Sequence, residues 1–415
     1  MSFICFGLFT QAQSLDDIGG LMDKSKFAEA KTAIDKYLTD PKNANSSDGW
    51  YYKGRVYNSL SRDASVSKDD AIAYKQIAFD AFRKNQTIDK KDFRMLTEFY
   101  SSYLDLYLGF YDLGAQLFNA QEYTKAYNSF TKAQEVENFI LARNYIYKEI
   151  KLNALDTGLV MNTAAAAIQI GDSINAVKNY TKVINANVKG AEYERIYEFL
   201  ATYYKVKKDE TNLQDIMKKG RAAYPASTFW NEFELQMLSE NPDKTAMFAK
   251  YEELYQKDPL AFNNTYNYAV ELYNAIYEKD FKNINVERAD KLTMILKSAI
   301  AADKGIDANM LMANHLYNYA ADFSSRAATI KEGKLAKPAD LKQKKDLNLV
   351  ANAKMNELIP YAENGIKYYA AQTELKNRAK VNYQLLAGYL SDIYRVKADL
   401  KKAAEYEKLK ASIKF

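Results

Sequence analysis

Residues Leu113 to Ala133 read L-G-A-Q-L-F-N-A-Q-E-Y-T-K-A-Y-N-S-F-T-K-A. At helical spacing, Leu113, Leu117 and Ala120 share one stripe, and Asn119 to Glu122 interrupt it. Tyr123, Ala126, Tyr127, Phe130 and Ala133 then make the stripe of a second helix. Two apolar faces joined by so short a turn pack antiparallel. Gly114 and Ala126 are small enough to let the two backbones approach, and Phe130 fills the space where the hairpin meets its neighbour.

Composition says how far such hairpins extend. The chain has 415 residues, 48% of them apolar, enough for several domains or one extended array. Six prolines and fifteen glycines are few for this length and predict long helices rather than many strands and turns. Charged residues make up 27% and the formal net charge is +5, too mild for a nucleic-acid binder that depends on a strong positive field. The 34 tyrosines stand out, because their rings can fill helix interfaces while their hydroxyls meet water or a partner. A single cysteine, Cys5, excludes an internal disulfide, and a single histidine, His315, has no second imidazole with which to form a zinc site.

The first residues, M-S-F-I-C-F-G-L-F-T-Q-A-Q, form an uncharged apolar run ending in small and polar residues. Thr10 and Ala12 stand where a secretory signal places its small residues, so residues 1–12 read as a signal peptide cut after Ala12. No Lys or Arg precedes the run, which places the true start upstream within a longer signal, or makes the run a short buried N-terminal helix. It is too short to span a bilayer, and no other segment approaches eighteen uncharged apolar residues. The expected location is a periplasm or the exterior of the cell.

The hairpin of Leu113 to Ala133 resembles the tetratricopeptide repeat, whose signature runs Trp, Leu-Gly, Tyr, Ala, a large aromatic and Pro across about 34 residues. Leu113-Gly114, Ala126, Phe130 and Ala133 match at the right spacing, and in W-Y-Y-K-G-R-V-Y the residues Trp50, Gly54 and Tyr57 are in register, with Lys53 in place of the leucine. Ala71 and Ala78 supply the second helix of that unit. Further copies carry Gly171-Asp172, Ala176, Tyr180 and Val183; Leu200-Ala201, Tyr204, Leu213, Met217, Gly220 and Pro225; and Tyr251, Leu254 and Pro259. Ser391, Tyr394 and Ala403 form a C-terminal copy, and Ala30, Ile34, Tyr37 and Pro41 a shortened first one. Repeats of this kind therefore cover residues 14–280 and 381–415, with divergent helical repeats over 281–380. A helix over Leu260 to Tyr277 leads into that middle section, which contains helices over Asp307 to Ile330 and Leu341 to Ala370 and a connecting loop near 331–340. Tyr266, Val270, Tyr273 and Tyr277 form an aromatic band that reads as inter-helix packing. The lysines around the connector, Lys331, Lys334, Lys337, Lys344 and Lys345, alternate with Glu332, Asp340 and Asp346, as in a solvated linker or a contact for an acidic partner.

A hairpin cannot bury its apolar face alone, so each unit completes its core against the next. The resemblance implies an all-α, right-handed superhelical solenoid of antiparallel helix pairs, whose first helices line a concave groove holding a peptide or protein segment. Carried onto this chain, the groove positions are Tyr51, Arg55 and Asn58, Tyr111 and Phe118, Thr202 and Lys205, and Asp392 and Arg395. The implied function is a non-catalytic scaffold or adaptor of the bacterial cell envelope, possessing no cofactor or metal and associating with envelope complexes. The alternative is an exported binding protein that takes a glycan or small molecule through its tyrosines. Enzyme signatures are missing: the sequence holds no G-x-G-x-x-G, no Walker loop, no H-E-x-x-H and no G-x-S-x-G. The acid pairs Asp16-Asp17, Asp69-Asp70 and Glu252-Glu253 read as helix starts and solvent faces rather than catalytic dyads, since neighbours on a helix diverge by about 100°. His315 reads as a packed histidine.

Overall fold

The computed structural model describes residues 14–278, 282–303, 305–333 and 337–414. The apolar N-terminal run, with Cys5 and the cleavage site after Ala12, lies outside them, as does Lys334. The described residues form helices joined by short turns, and their β structure is a single bridge between Tyr147 and Ile150. The chain divides into two compact units, residues 1–227 and 228–415.

In the first unit, α1 (Leu15–Asp23) pairs with α2 (Phe27–Thr39), and α3 (Ser47–Leu60) with α4 (Lys68–Ile88). After a short α5 (Phe93–Thr97), α6 (Ser101–Asn119) pairs with α7 (Tyr123–Arg143), α8 (Thr157–Gln169) with α9 (Ser173–Asn185), and α10 (Glu194–Lys207) with α11 (Glu210–Ala223). The second unit pairs α12 (Phe229–Ser239) with α13 (Thr245–Lys257), and α14 (Phe262–Ile276) with α15 (Val286–Ala302). It ends with α16 (Ile306–Ala328) on α17 (Pro338–Ala370) and α18 (Asn377–Val396) on α19 (Leu400–Ser412). The fold is an all-α solenoid of stacked helix pairs.

The turn of the opening stretch falls between Asn119 and Tyr123, and Ala126, Phe130 and Ala133 are buried. Gly114 is there because the hairpin has no room for a side chain: a Cβ on it would stand 2.6 Å from the Phe130 ring. The same device recurs one hairpin earlier, where a Cβ on Gly54 would meet Phe82 at 2.4 Å. Between α8 and α9 the turn passes through Gly171 at φ 76, a left-handed conformation that glycine adopts without steric cost, and Asp172 caps α9 through the Asn175 N–H. The acid pairs have structural partners. Asp17 closes a capping box with Ser14, Asp70 accepts from Ser67 at the start of α4, and Glu253 pairs with Lys250.

Two expectations shift. Helix α17 opens at Pro338 rather than Leu341, because proline at the first helical position has no N–H to leave unsatisfied. Because α16 ends at Ala328, the connector lies between Ala328 and Pro338 rather than over 331–340, and Lys344 folds back to pair with Glu332 at 3.0 Å. On α14 the deepest face is Thr265, Tyr268, Ala269, Leu272 and Ile276, while Tyr266, Val270, Tyr273 and Tyr277 form its half-buried edge. That edge still packs between helices: Tyr273 accepts a hydrogen bond from Asn318 at 2.9 Å, and Tyr277 meets His315 at 2.8 Å.

Candidate functional site

Tyrosine hydroxyls tie successive hairpins together in a repeated pattern. Tyr57 on α3 donates to Asp35 on α2 at 2.7 Å, Tyr268 on α14 to Glu252 on α13 at 2.9 Å, and Tyr319 on α16 to Asp290 on α15 at 3.1 Å. Each acid also receives a lysine ammonium: Lys53 at 3.0 Å, Lys291 at 2.6 Å and Lys354 at 3.2 Å. Each lysine also lies over the ring of its own clamp's tyrosine, Lys53 over Tyr57, Lys291 over Tyr268 and Lys354 over Tyr319. Burial pushes the Tyr57 hydroxyl up to about 12, with the Asp35 carboxylate adding to the effect. Burial works against the charged form of Asp35 as well, yet bonds from Tyr57 and Lys53 hold its carboxyl below the usual range. The lysine found where the repeat signature has leucine is thus one corner of an inter-hairpin clamp.

The first helices are also linked along their own layer. Asn58 on α3 donates to Asp105 on α6 at 3.1 Å, and Asn162 on α8 donates to Tyr111 on α6 at 3.0 Å. In the second unit Tyr389 on α18 donates to Asn314 on α16 at 3.1 Å, and Tyr317 on α16 donates to Asp392 on α18 at 3.1 Å. The Tyr317 and Tyr389 rings stack at 4.0 Å. Burial raises both hydroxyls above their ordinary range, with Asp392 adding to the shift at Tyr317.

Beside that stack α16, α17 and α18 enclose a recess of about 580 Å³. Tyr317, Ala321, Met355, Ile393 and Val396 give it an apolar wall, and Asp392 and Arg395 stand at it with their charged ends 3.5 Å apart. Both are more than half exposed, so either can exchange its partner for a ligand group at little cost. The size lies in the range of pockets that take a small ligand, and is ample for side chains of a bound segment.

The remaining expected groove residues are dispersed over α3, α6 and α10. Tyr51 and Asn58 are buried, a correction to their outward reading. The Tyr51 hydroxyl donates to Glu98 at 3.0 Å, and Asn58 accepts from Lys75 at 3.2 Å while bonding Asp105. Arg55 is exposed with its guanidinium 5.9 Å from the centre of the Tyr51 ring. Tyr111 and Phe118 are half-buried, the latter edge-on to Tyr123 at 5.2 Å. Thr202 is exposed and donates to the Glu198 carbonyl at 2.9 Å, and Lys205 is half-buried. Of this set, the structure brings Asp392 and Arg395 together at a recess. Sequence reading missed its other walls, because Met355 comes from a second helix and Ala321 carries no chemical signal.

Among the described residues, no group of three or more His, Cys, Asp or Glu side chains is placed to hold a metal ion. No described helix is long and apolar enough to cross a membrane. Fold and packing define a TPR-like, all-helical repeat protein. No protein-family model matches the chain, and no curated protein matches it. Among solved structures it is similar to the human IFIT1 dimer with m7Gppp-AAAA, at 12% identity over 95% of this chain and 80% of that one, with a TM-score of 0.23. It is similar to Naa15/Naa10 bound to HypK-THB, at 13% identity over 96% of this chain and 62% of that one, with a TM-score of 0.30. Yeast Tom70 follows at 10% identity, covering 96% and 91%, with a TM-score of 0.22. At these scores the likeness extends to no site, and the repeat assignment stands on the packing of the hairpins themselves.

Proposed function

We propose that this chain is a non-catalytic, protein-binding scaffold of the bacterial cell envelope, and that the recess on α16, α17 and α18 seats a segment of its partner. The recess carries this reading: an apolar wall beside an exposed, exchangeable ion pair suits a peptide with one apolar anchor and a flanking charge. A glycan or small-molecule site built from tyrosines draws less support, because the rings at this place stack on one another. The envelope location is supported by the small and polar end of the N-terminal apolar run, and association with envelope complexes follows from it.

The test is co-purification from an envelope extract, followed by a titration of the partner against Val396→Asp. Val396 is exposed, so the substitution should leave the melting curve in place while weakening binding by about tenfold or more. An unchanged dissociation constant would remove the recess from the account. If no protein binds while a soluble glycan raises the melting temperature, the glycan reading replaces the scaffold. Intact-mass analysis of native material should show a chain starting near Gln13, and retention of residues 1–12 would overturn export.

A further inference from the structure

Two segments of the first unit stand outside the hairpin pattern, residues 89–100 between α4 and α6 and residues 144–156 between α7 and α8. They pack on each other: the Tyr100 and Tyr145 rings stack at 3.7 Å with an interplanar angle of 7°, and Gln86 bonds both Asp92 and Tyr145. The inward side of the first segment is anchored to its neighbours. Met95 is buried, Arg94 grips Asp48 through two bonds of 2.9 and 3.0 Å, and Glu98 accepts from Tyr51.

What these segments leave outside is large and apolar. Phe93, Leu96, Phe99, Ile146 and Ile150 are 63%, 54%, 54%, 44% and 55% exposed. Single exposed apolar residues are ordinary, but five on two abutting segments are a patch. The charges are sorted as well. Asp89 caps the N–H groups of Lys91 and Phe93, and Asp92 and Glu98 bond inward, so Glu149 is the exposed acid of the two segments. Lys90, Lys91, Lys148 and Lys151 are all exposed. The outer surface thus carries protruding Phe, Leu and Ile side chains among lysines. The recess between Tyr100, Tyr145, Tyr147 and Ile150 measures about 10 Å³, too small to accept a partner's side chain. The larger recess of about 630 Å³ at the edge of the two segments is lined mainly by charged and polar groups, among them Arg83, Asp89, Lys90, Asp92 and Arg143, and so offers no apolar socket.

We infer that this patch docks the first unit on an anionic lipid surface, with Phe93, Leu96, Phe99, Ile146 and Ile150 entering the headgroup boundary and the four lysines facing lipid phosphates. A bilayer boundary receives protruding apolar side chains without a complementary pocket, and each nearby lysine adds attraction to anionic lipid. Attachment is peripheral and weakens with salt. It is independent of the recess on α16, α17 and α18.

The test floats the full chain with vesicles of phosphatidylglycerol and phosphatidylcholine in equal parts, and with phosphatidylcholine alone, at low and high salt. The protein should float with the anionic vesicles at low salt. The double variants Phe93→Ser with Phe99→Ser, and Lys90→Glu with Lys91→Glu, should each lower the partition coefficient at least about tenfold with unchanged melting curves. Val396→Asp should float like the parent. Failure to float overturns the inference, as does equal recovery on neutral vesicles. Recovery unchanged in both double variants also overturns it and places binding on the apolar N-terminal run. Self-association abolished by the variants, without vesicle binding, would make the patch an interface between copies of the chain.

Discussion

Two buried bases show how single residues couple this fold to pH. His315 is fully buried, its Nδ1 2.8 Å from the Tyr277 hydroxyl and its Nε2 2.8 Å from that of Thr293. Burial, with Lys354 adding, pushes its pKa down to about 3 from an ordinary 6.5. Between those values the unfolded chain binds the proton and the fold does not, so stability is lost as pH falls through the window. His315→Gln should cost stability at pH 7 and flatten the decline below about pH 6.5 in urea titrations; an unchanged slope would show that the ring is protonated in the fold. Lys75 acts in an alkaline window. It is buried against Asn58, and burial lowers its pKa to about 8 from 10.5 despite the nearby Asp105. Above about 8 the fold gives up the proton first, so stability rises with pH until tyrosine ionisation opposes it near 10. Lys75→Met should remove that rise, and a rise that persists in the variant would assign it elsewhere. The burial of Asn58 that creates this site was illegible in the sequence. Helical spacing marks the face turned toward a hairpin's own partner, but the opposite face meets the next hairpin, and only the fold shows which side chains that contact covers. Tyr51 was misread for the same reason, since Glu98 and Arg94, which cover it, lie in a segment with no repeat signature.

Elements are held by two devices of different legibility. The glycine and aromatic pairs within hairpins were half legible: motif spacing marked Gly114 and Phe130 but set Phe130 between hairpins, whereas a Cβ on Gly114 would stand 2.6 Å from its ring inside the hairpin. Gly114→Ala should therefore destabilise by about 1–3 kcal/mol. Gly20→Ala, on α1 with nothing within 4 Å of the added carbon, should instead stabilise by up to about 1 kcal/mol. Urea midpoints moving in the same direction would show that the close packing at Gly114 relaxes freely. The clamps of tyrosine, acid and lysine between hairpins were not legible, since their members lie up to 64 residues apart, as Lys354 and Asp290 do. They account for part of the unusual tyrosine content: the ring fills the interface and the hydroxyl satisfies a carboxylate of the preceding hairpin. A double-mutant cycle on Tyr57→Phe and Asp35→Asn should give a coupling of about 1 kcal/mol or more. Additive losses would reduce the contact to coincidental proximity.

At the scale of the whole chain, low proline and glycine content announced helices, and repeated short motifs announced their pairing. The division near residue 227 had no such signal, because a repeat array looks locally alike on both sides of a boundary. Each unit nevertheless has its own buried apolar clusters, one set drawn from residues between Ile18 and Ala166 and another from Leu235 to Ala403. Some of their titratable groups act with opposite signs, although the carboxyls of Asp35 and Asp48, which lie below the usual range in the first unit despite burial, make acid destabilising around α2 and α3. The second unit contains His315, whose depressed pKa makes acid destabilising between 6.5 and about 3. In the first unit, burial raises the carboxyl groups of Glu137 and Asp92 above their ordinary values. There the fold binds protons more readily than the unfolded chain, so these two groups add stability as pH falls through their folded-state values. Stability in a repeat array is largely a sum of local terms, which lets the two responses act separately. Hydrogen exchange at about pH 4.5 should therefore speed amides of α14, α15 and α16, relative to pH 7 after correction for intrinsic rates, while α6 and α7 keep their protection. In His315→Gln the pH dependence of the three helices should shrink, even though their protection at pH 7 is lower. Equal acceleration in both units would mean that the chain opens as one cooperative block, and faster opening of α6 and α7 would reverse the signs assigned to Glu137 and Asp92.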